Sequence, residues 1–232
     1  MTQPSVWFGI GAAIFAIGVV AFLGFALTRG DIRSPYYFLP PATAAIACVS
    51  YVVMTLVEVG IAPAALTVET VRYVDWALST PFITYYLAML AGTKLSTRAG
   101  AVGLNVAMIA FGYGATVAGG LLQWGLFAVS AVCFVGLLYL FLSTFTRAIR
   151  DAPQTSRNLF VSLRDLTALI WSVYPVAYLL GPGGFGAMGT ADYSFVVVTL
   201  DVTAKVGFIG LMLARQYQLD TFVGAGARAT PE

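Results

Sequence analysis

No histidine occurs in the sequence, which removes the imidazole base and the commonest metal ligand from any chemistry the chain performs. Cysteine is nearly absent as well. Cys48 and Cys133 both lie inside apolar stretches, where a thiol behaves as a small apolar residue and points to neither a disulfide nor a metal site. A third scarcity decides the class: only 9% of the 232 residues are charged, against 59% hydrophobic, and the mean hydropathy is +0.88. A soluble domain carries about 25% charged residues. This chain cannot solvate a globular surface, so its solvent is lipid. The net charge of +2 says little until the charges are placed.

What is present is apolar sequence in lengths that match a bilayer. A helix needs about 20 apolar residues to cross one, and the chain divides into seven such runs. They extend from Trp7 to Thr28, Pro35 to Val59, Thr70 to Gly92, Thr97 to Ala118, Leu121 to Ile149, Leu159 to Leu180 and Asp192 to Tyr217. The expected fold is all-α, a seven-transmembrane-helix bundle in the cell membrane. The first run has no small-residue cleavage site after a short apolar core and reads as a retained helix. Residues 1–222 are expected to form one membrane domain, and 223–232, rich in Gly and Ala, a short disordered cytoplasmic tail. A tight turn is expected at Gly119-Gly120, and a small hairpin or ordered loop from Gly60 to Glu69. Ten basic residues (Arg29, Arg33, Lys94, Arg98, Arg147, Arg150, Arg157, Arg164, Arg215 and Arg228) fall on one side of this layout. The positive-inside rule makes that side cytoplasmic, with the N-terminus extracellular and the C-terminus cytoplasmic.

The two remaining basic residues, Arg72 and Lys205, lie inside apolar runs. Ionisable groups at membrane depth are expensive and mark working parts of a protein. Asp201 and Lys205 are spaced i, i+4. Arg72 and Asp75 are i, i+3, and Asp75 and Ser79 are i, i+4, so each set shares a helix face. Together they predict a cluster of two positive and two negative charges inside the bundle. Trp171, Tyr174 and Tyr178 set aromatic rings on one face of the sixth run, and Pro81 and Pro175 are expected to bend their helices. An apolar, aromatic cavity beside an intramembrane amine suits a hydrophobic aldehyde held as a Schiff base, because burial favours the neutral, nucleophilic lysine.

Three motifs now stand in order along the chain: Arg72-Tyr73-x-Asp75-Trp76-x-x-Ser79-Thr80-Pro81, Trp171-x-x-Tyr174-Pro175 and Asp201-x-x-x-Lys205. In them the chain resembles the microbial (archaeal-type) rhodopsins, over all seven helices. The resemblance implies all-trans retinal attached to Lys205 as a Schiff base, with no enzymatic activity. Asp75 would be counterion and proton acceptor, Asp201 the second counterion, with Arg72 beneath it and Ser79 beside. Trp76, Thr80, Met108 and Gly112 match retinal-pocket positions, as do Phe127, Ser130, Trp171, Tyr174 and Tyr178. Phe127 and Tyr178 stand where tryptophans are common, which implies an altered cavity at the ring end of the chromophore.

Other positions bear on subtype. Proton pumps of the family carry a carboxylic acid eleven residues after the acceptor, where this chain has Tyr86, a phenol with an ordinary pKa of about 10. Gly183 and Tyr193 stand where pumps hold an outer pair of glutamates, with Asp192 close by as a partial substitute. These departures, with Pro182-Gly183, resemble sensory rhodopsin II. Ala204 and Met108 are pump-like, and the mixture resembles the middle rhodopsins. The implied function is a retinal photoreceptor of that group, passing its signal to a membrane-embedded chemotaxis transducer for phototaxis. A light-driven outward proton pump is the alternative, while the retained Asp75 argues against chloride pumping. The lipid bilayer is the other expected partner, a homo-oligomer is left open, and no nucleic-acid partner is expected.

No other lysine lies at membrane depth, since Lys94 belongs to a connection. Lys205→Ala expressed with retinal should therefore show no visible absorption band and yield no retinyl adduct after borohydride reduction. A retained band would show that the attachment is elsewhere.

Overall fold

The computed structural model describes residues 3–29, 34–219 and 222. Seven long helices account for most of them: α1 (Pro4–Arg29), α2 (Pro35–Glu58), α3 (Val68–Leu90), α4 (Leu95–Val117), α5 (Gly120–Ala148), α6 (Gln154–Leu180) and α7 (Thr190–Ala214). Among the described residues there is no strand. Six of the helices are long and apolar enough to cross a membrane. The seventh, α3, has 23 residues and the necessary length, but Asp75, its hydroxyl residues and its tyrosines make it less apolar.

Local sequence explains the ends. Pro35 opens α2, where its missing N–H costs nothing. Thr67 caps α3 by accepting the Thr70 N–H at 3.2 Å. The Gly119-Gly120 turn forms as expected, with Gly120 in the left-handed region at φ +61°. The stretch after α2 is an ordered loop and not a hairpin. The Leu56 carbonyl accepts the N–H groups of Ile61 and Ala62, and Pro63 O accepts that of Leu66, so the backbone is satisfied locally without a partner strand. Helix α6 starts five residues before the apolar run does. Its first turn, polar from Gln154 to Asn158, is closed by a Gln154–Asn158 side-chain hydrogen bond of 2.7 Å, which hydropathy cannot register. The expected tail, residues 223–232, lies outside the described residues, as do Arg33 and Arg228.

Lipid and core faces separate cleanly on α1. Phe8, Phe15 and Phe22 recur every seven residues and are buried, while Ile17, Val20 and Leu27 face outward at 67–71% exposure. A helix apolar on all sides belongs in a bilayer. Two glycines, also seven apart, let α1 approach its neighbours. A Cβ on Gly18 would lie 3.1 Å from Val206 of α7, and one on Gly11 would lie 2.5 Å from the ring of Tyr51 on α2. Pro81 and Pro175 sit inside α3 and α6, which continue through them.

Two helices contain a wide turn of π-helix, Leu140–Phe145 in α5 and Thr203–Gly207 in α7. Such bulges are rare and frequent at functional sites. The one in α7 includes Lys205. By alternation the α2–α3, α4–α5 and α6–α7 connections share one end of the bundle with the start of α1, called here the N-terminal end.

Gly11→Val should lower the midpoint of thermal denaturation, because overpacking against Tyr51 costs about 1–3 kcal/mol. Gly9→Val, where a Cβ meets nothing within 4 Å, should leave the midpoint unchanged.

Candidate functional site

The site is built by α3 and α7. Lys205 and Asp75 are buried at 2% and 0% exposure, and Nζ of Lys205 donates a hydrogen bond to Oδ2 of Asp75 within an ion pair. Two charges taken out of water are tolerable only as a pair, and removing one partner of a buried pair costs about 3–5 kcal/mol. The i, i+4 spacing of Asp201 and Lys205 does not produce an ion pair among the described residues. The wide turn at Thr203–Gly207 breaks the regular register between them, and Lys205 is matched across to α3 instead.

Asp201 is satisfied by neutral donors from three other helices. Tyr51 Oη of α2 donates to Oδ2 at 2.6 Å; Trp76 Nε1 of α3 and Tyr174 Oη of α6 donate to Oδ1 at 2.9 and 2.6 Å. One carboxylate thus ties four helices. Arg72 and Asp75 share a helix face but form no ion pair among the described residues. The single ion pair of Arg72 among the described residues is with Glu69, 3.8 Å away, and its guanidinium lies over the Tyr193 ring, 5.3 Å from the centroid. Lys205 engages Asp75 through Oδ2 and three neutral donors fill Asp201, while Oδ1 of Asp75 and Nε of Arg72 are both buried without a hydrogen-bond partner in the protein. Ser79 is buried beside this cluster, with Oγ lacking a hydrogen-bond partner in the protein.

The nine predicted pocket residues come together around one cavity, with Lys205 and Asp201 in its wall. Trp76 and Thr80 come from α3, Met108 and Gly112 from α4. Phe127 and Ser130 belong to α5, and Trp171, Tyr174 and Tyr178 to α6. Gly112 lies close to its neighbours: a Cβ there would be 3.3 Å from the Tyr73 ring and 3.4 Å from Ser130 Oγ. Thr80 Oγ1 lies 2.7 Å from the Trp76 carbonyl and 2.9 Å from Oδ1 of Asn105, which fixes α3 against α4. At the far end Tyr178 stacks on Phe127 at 5.0 Å and 12°. Its hydroxyl donates to the Ala115 carbonyl and accepts from Gln123 Nε2, both at 3.2 Å. Gln123 also donates to the Gly183 carbonyl, which pins the α6–α7 loop over this end.

An apolar aromatic cavity with a single buried amine in its wall, matched by a carboxylate, fits an apolar guest that bonds covalently to Nζ. Sequence reasoning missed Tyr51, Asn105, Gln123 and Glu69. Only Glu69 carried a signal, as an acidic residue three before a buried arginine. A mid-helix tyrosine such as Tyr51 has no local mark of the carboxylate 150 residues away that it serves.

Toward the C-terminal end the interior closes. Tyr86 is 1% exposed. Its hydroxyl donates to the Tyr36 carbonyl at 3.3 Å, and its ring meets Phe208 and Tyr36 edge-on. Leu87 and Met212 are fully buried nearby in sequence. Asp192, in the first turn of α7, is exposed at the opposite end.

Comparison with known proteins adds the lineage of this arrangement. A family model described as bacteriorhodopsin-like protein matches residues 2–218. The chain is 49% identical over 223 residues to sensory rhodopsin III of Haloarcula marismortui, covering 96% of each chain. It is 35% identical over 202 residues to sensory rhodopsin-2 of Natronomonas pharaonis, covering 87% of this chain and 84% of that one. Among solved structures, thermophilic rhodopsin from Rubrobacter xylanophilus superposes with a TM-score of 0.85 at 27% identity, covering 95% of this chain and 99% of that one.

Tyr51→Phe should weaken the anchoring of Asp201 by about 1.5–3 kcal/mol, the range for bonds to charged groups. The expected readout is a lower thermal midpoint with the helix content unchanged. A midpoint equal to that of the unmodified protein would mean that Trp76 and Tyr174 suffice.

Proposed function

The chain belongs to the bacteriorhodopsin-like family of archaeal-type microbial rhodopsins, and from that premise we propose that it is a light sensor of the sensory rhodopsin II or middle rhodopsin kind. It is a multi-pass membrane protein, and a photoreceptor and not an enzyme, with retinal as its chromophore. Held at Nζ of Lys205, retinal supplies absorption of visible light, a change of shape on excitation and a transferable proton on the nitrogen. The aromatic residues around the cavity, Trp76, Trp171, Tyr174 and Tyr178 among them, orient the chromophore and exclude water. Oδ2 of Asp75 stands where it takes the proton. Once Asp75 is neutral, the ion pair joining α3 to α7 is gone while Asp201 keeps its three donors. The two helices are then free to shift about an anchored carboxylate. The N-terminal end, with Glu69 and Asp192, faces the outside and the basic end the cytoplasm.

The observation that carries the sensory reading is the closed C-terminal half. A pump must return a proton to the lysine nitrogen many times a second, through a donor on the cytoplasmic side. Here that path holds Tyr86, whose hydroxyl is spent on the Tyr36 carbonyl, among buried leucines and phenylalanine. A charged carrier in such surroundings is costly. Slow return leaves Asp75 protonated long enough for a partner to read the state. The names of two relatives, both sensory rhodopsins, support the same reading. The partner in it is a membrane-embedded chemotaxis transducer packed on α6 and α7.

Tyr86→Asp should speed recovery of the resting absorption after a flash by roughly two orders of magnitude, the contribution of a placed general acid. Azide, a small permeant acid, should also speed the unmodified protein. Fast recovery without either, with strong acidification of the medium by illuminated cells, would instead identify a light-driven outward proton pump.

A further inference from the structure

Arg72 is 2% exposed, yet it turns away from the charges at the centre of the bundle. The charged and titratable groups around it are Tyr51 of α2, Glu69 and Asp75 of α3, and Tyr193 and Asp201 of α7. Of the carboxylates in this set, Asp75 is 0% and Asp201 1% exposed, while the Glu69 side chain is 45% exposed. The guanidinium contacts the exposed one, with Nη1 3.8 Å from Oε1 of Glu69. Glu69 lies in the first turn of α3, where the helix dipole already favours an acidic residue. That placement explains Glu69 but not Arg72. Lys205 engages only Oδ2 of Asp75, and Tyr51, Trp76 and Tyr174 fill Asp201; Oδ1 of Asp75 and Nε of Arg72 are both buried without a hydrogen-bond partner in the protein, so the carboxylate that the guanidinium does reach is Glu69.

We propose that Glu69 is a positioning residue for Arg72, which holds the guanidinium toward the N-terminal end of the bundle and away from the Asp75–Lys205 pair. The light-sensitive pair is thereby placed under the influence of a carboxylate that touches solvent. Two pulls act on one cation. Negative charge at Asp75 and Asp201 draws Arg72 inward, and negative charge at Glu69 draws it outward. When Asp75 takes a proton the inward pull falls, and Glu69 holds Arg72 more firmly, so the arginine's place reports the state of Asp75 to the surface. The contact is half exposed, so salt weakens it, whereas the buried Asp75–Lys205 pair is screened far less.

The inference rests on the chromophore reading above, and its test keeps the two apart. The absorption maximum of the retinal-loaded protein is measured in the dark for the unmodified chain, Glu69→Gln, Glu69→Asp and Asp192→Asn, each in the Arg72 and the Arg72→Gln background. Excitation moves positive charge away from the lysine nitrogen, so a cation brought closer to the pair lowers the transition energy. Glu69→Gln should then shift the maximum to the red and change the rate of proton transfer to Asp75. Glu69→Asp should restore most of the unmodified behaviour, and Asp192→Asn should match the unmodified protein. In the Arg72→Gln background the Glu69→Gln shift should vanish, as for two residues acting through one contact. Arg72→Lys replaces that background if no pigment forms in it. An unshifted Glu69→Gln maximum overturns the assignment, and so does an equal shift in both backgrounds, which would be a direct field effect without Arg72. A chain that gains no visible band with retinal overturns the chromophore reading and this inference with it.

Discussion

The pairing of Asp75 with Lys205 is the constraint around which the rest of the interior is arranged. Each group alone at membrane depth would be prohibitive, so each is tolerable only while the other faces it, and that requirement sets α3 against α7. Everything nearby follows from how these two charges are used. Asp201, with no cation left to it, collects three neutral donors and becomes a knot between α2, α3, α6 and α7. Arg72 forms an ion pair with neither inner carboxylate among the described residues and meets Glu69. Such an arrangement is stable and easily disturbed: one proton moved from nitrogen to Asp75 dissolves the central pair and leaves the knot in place.

The aromatic cavity converts this electrostatic core into a light-sensing one. Its walls come from α3, α4, α5 and α6, and the amine from α7, so a chromophore in it touches five helices. Tyr178 and Phe127 stack where the family commonly has larger rings. Tyr178 uses its hydroxyl to join α6 to the Ala115 carbonyl of α4 and to Gln123 of α5. The end of the cavity far from Lys205 is thus held by hydrogen bonds that tryptophans could not make in the same way, and Gln123 extends the network to the α6–α7 loop.

The two ends of the bundle differ in kind. Toward the N-terminal end, Arg72 and Tyr193 lie in contact inside the bundle, and Arg72 meets Glu69 at the surface. Toward the C-terminal end Tyr86, Phe208 and buried leucines interrupt any such sequence of groups. A proton is passed readily where acceptors are spaced through the interior and slowly where a desolvated charge has nowhere to stop. In the sensory reading this asymmetry is the timer.

Much of this was legible in the chain itself. Scarce charge and seven apolar runs specify a membrane bundle, because bilayer thickness and backbone hydrogen bonding leave few alternatives. The intramembrane charges at 72, 75, 201 and 205 stand out for the same reason, and the pocket residues were implied by the family resemblance that the three motifs carry. Pairing was legible only in part. The resemblance implied Asp75 as the counterion of Lys205, and these two face each other; the shared helix faces of Asp201 with Lys205 and of Arg72 with Asp75 gave no ion pair among the described residues, since a wide turn in α7 alters the register and charges choose partners across helices. Tyr51, Asn105 and Gln123 carry no local sign of their roles, because each acts on a group brought near only by packing. Sequence by itself determined which groups are buried in the membrane. Tertiary structure decided that Tyr51, Trp76 and Tyr174 compensate Asp201 and that Glu69 meets Arg72, because compensation depends on distances between side chains that spacing along one helix does not fix.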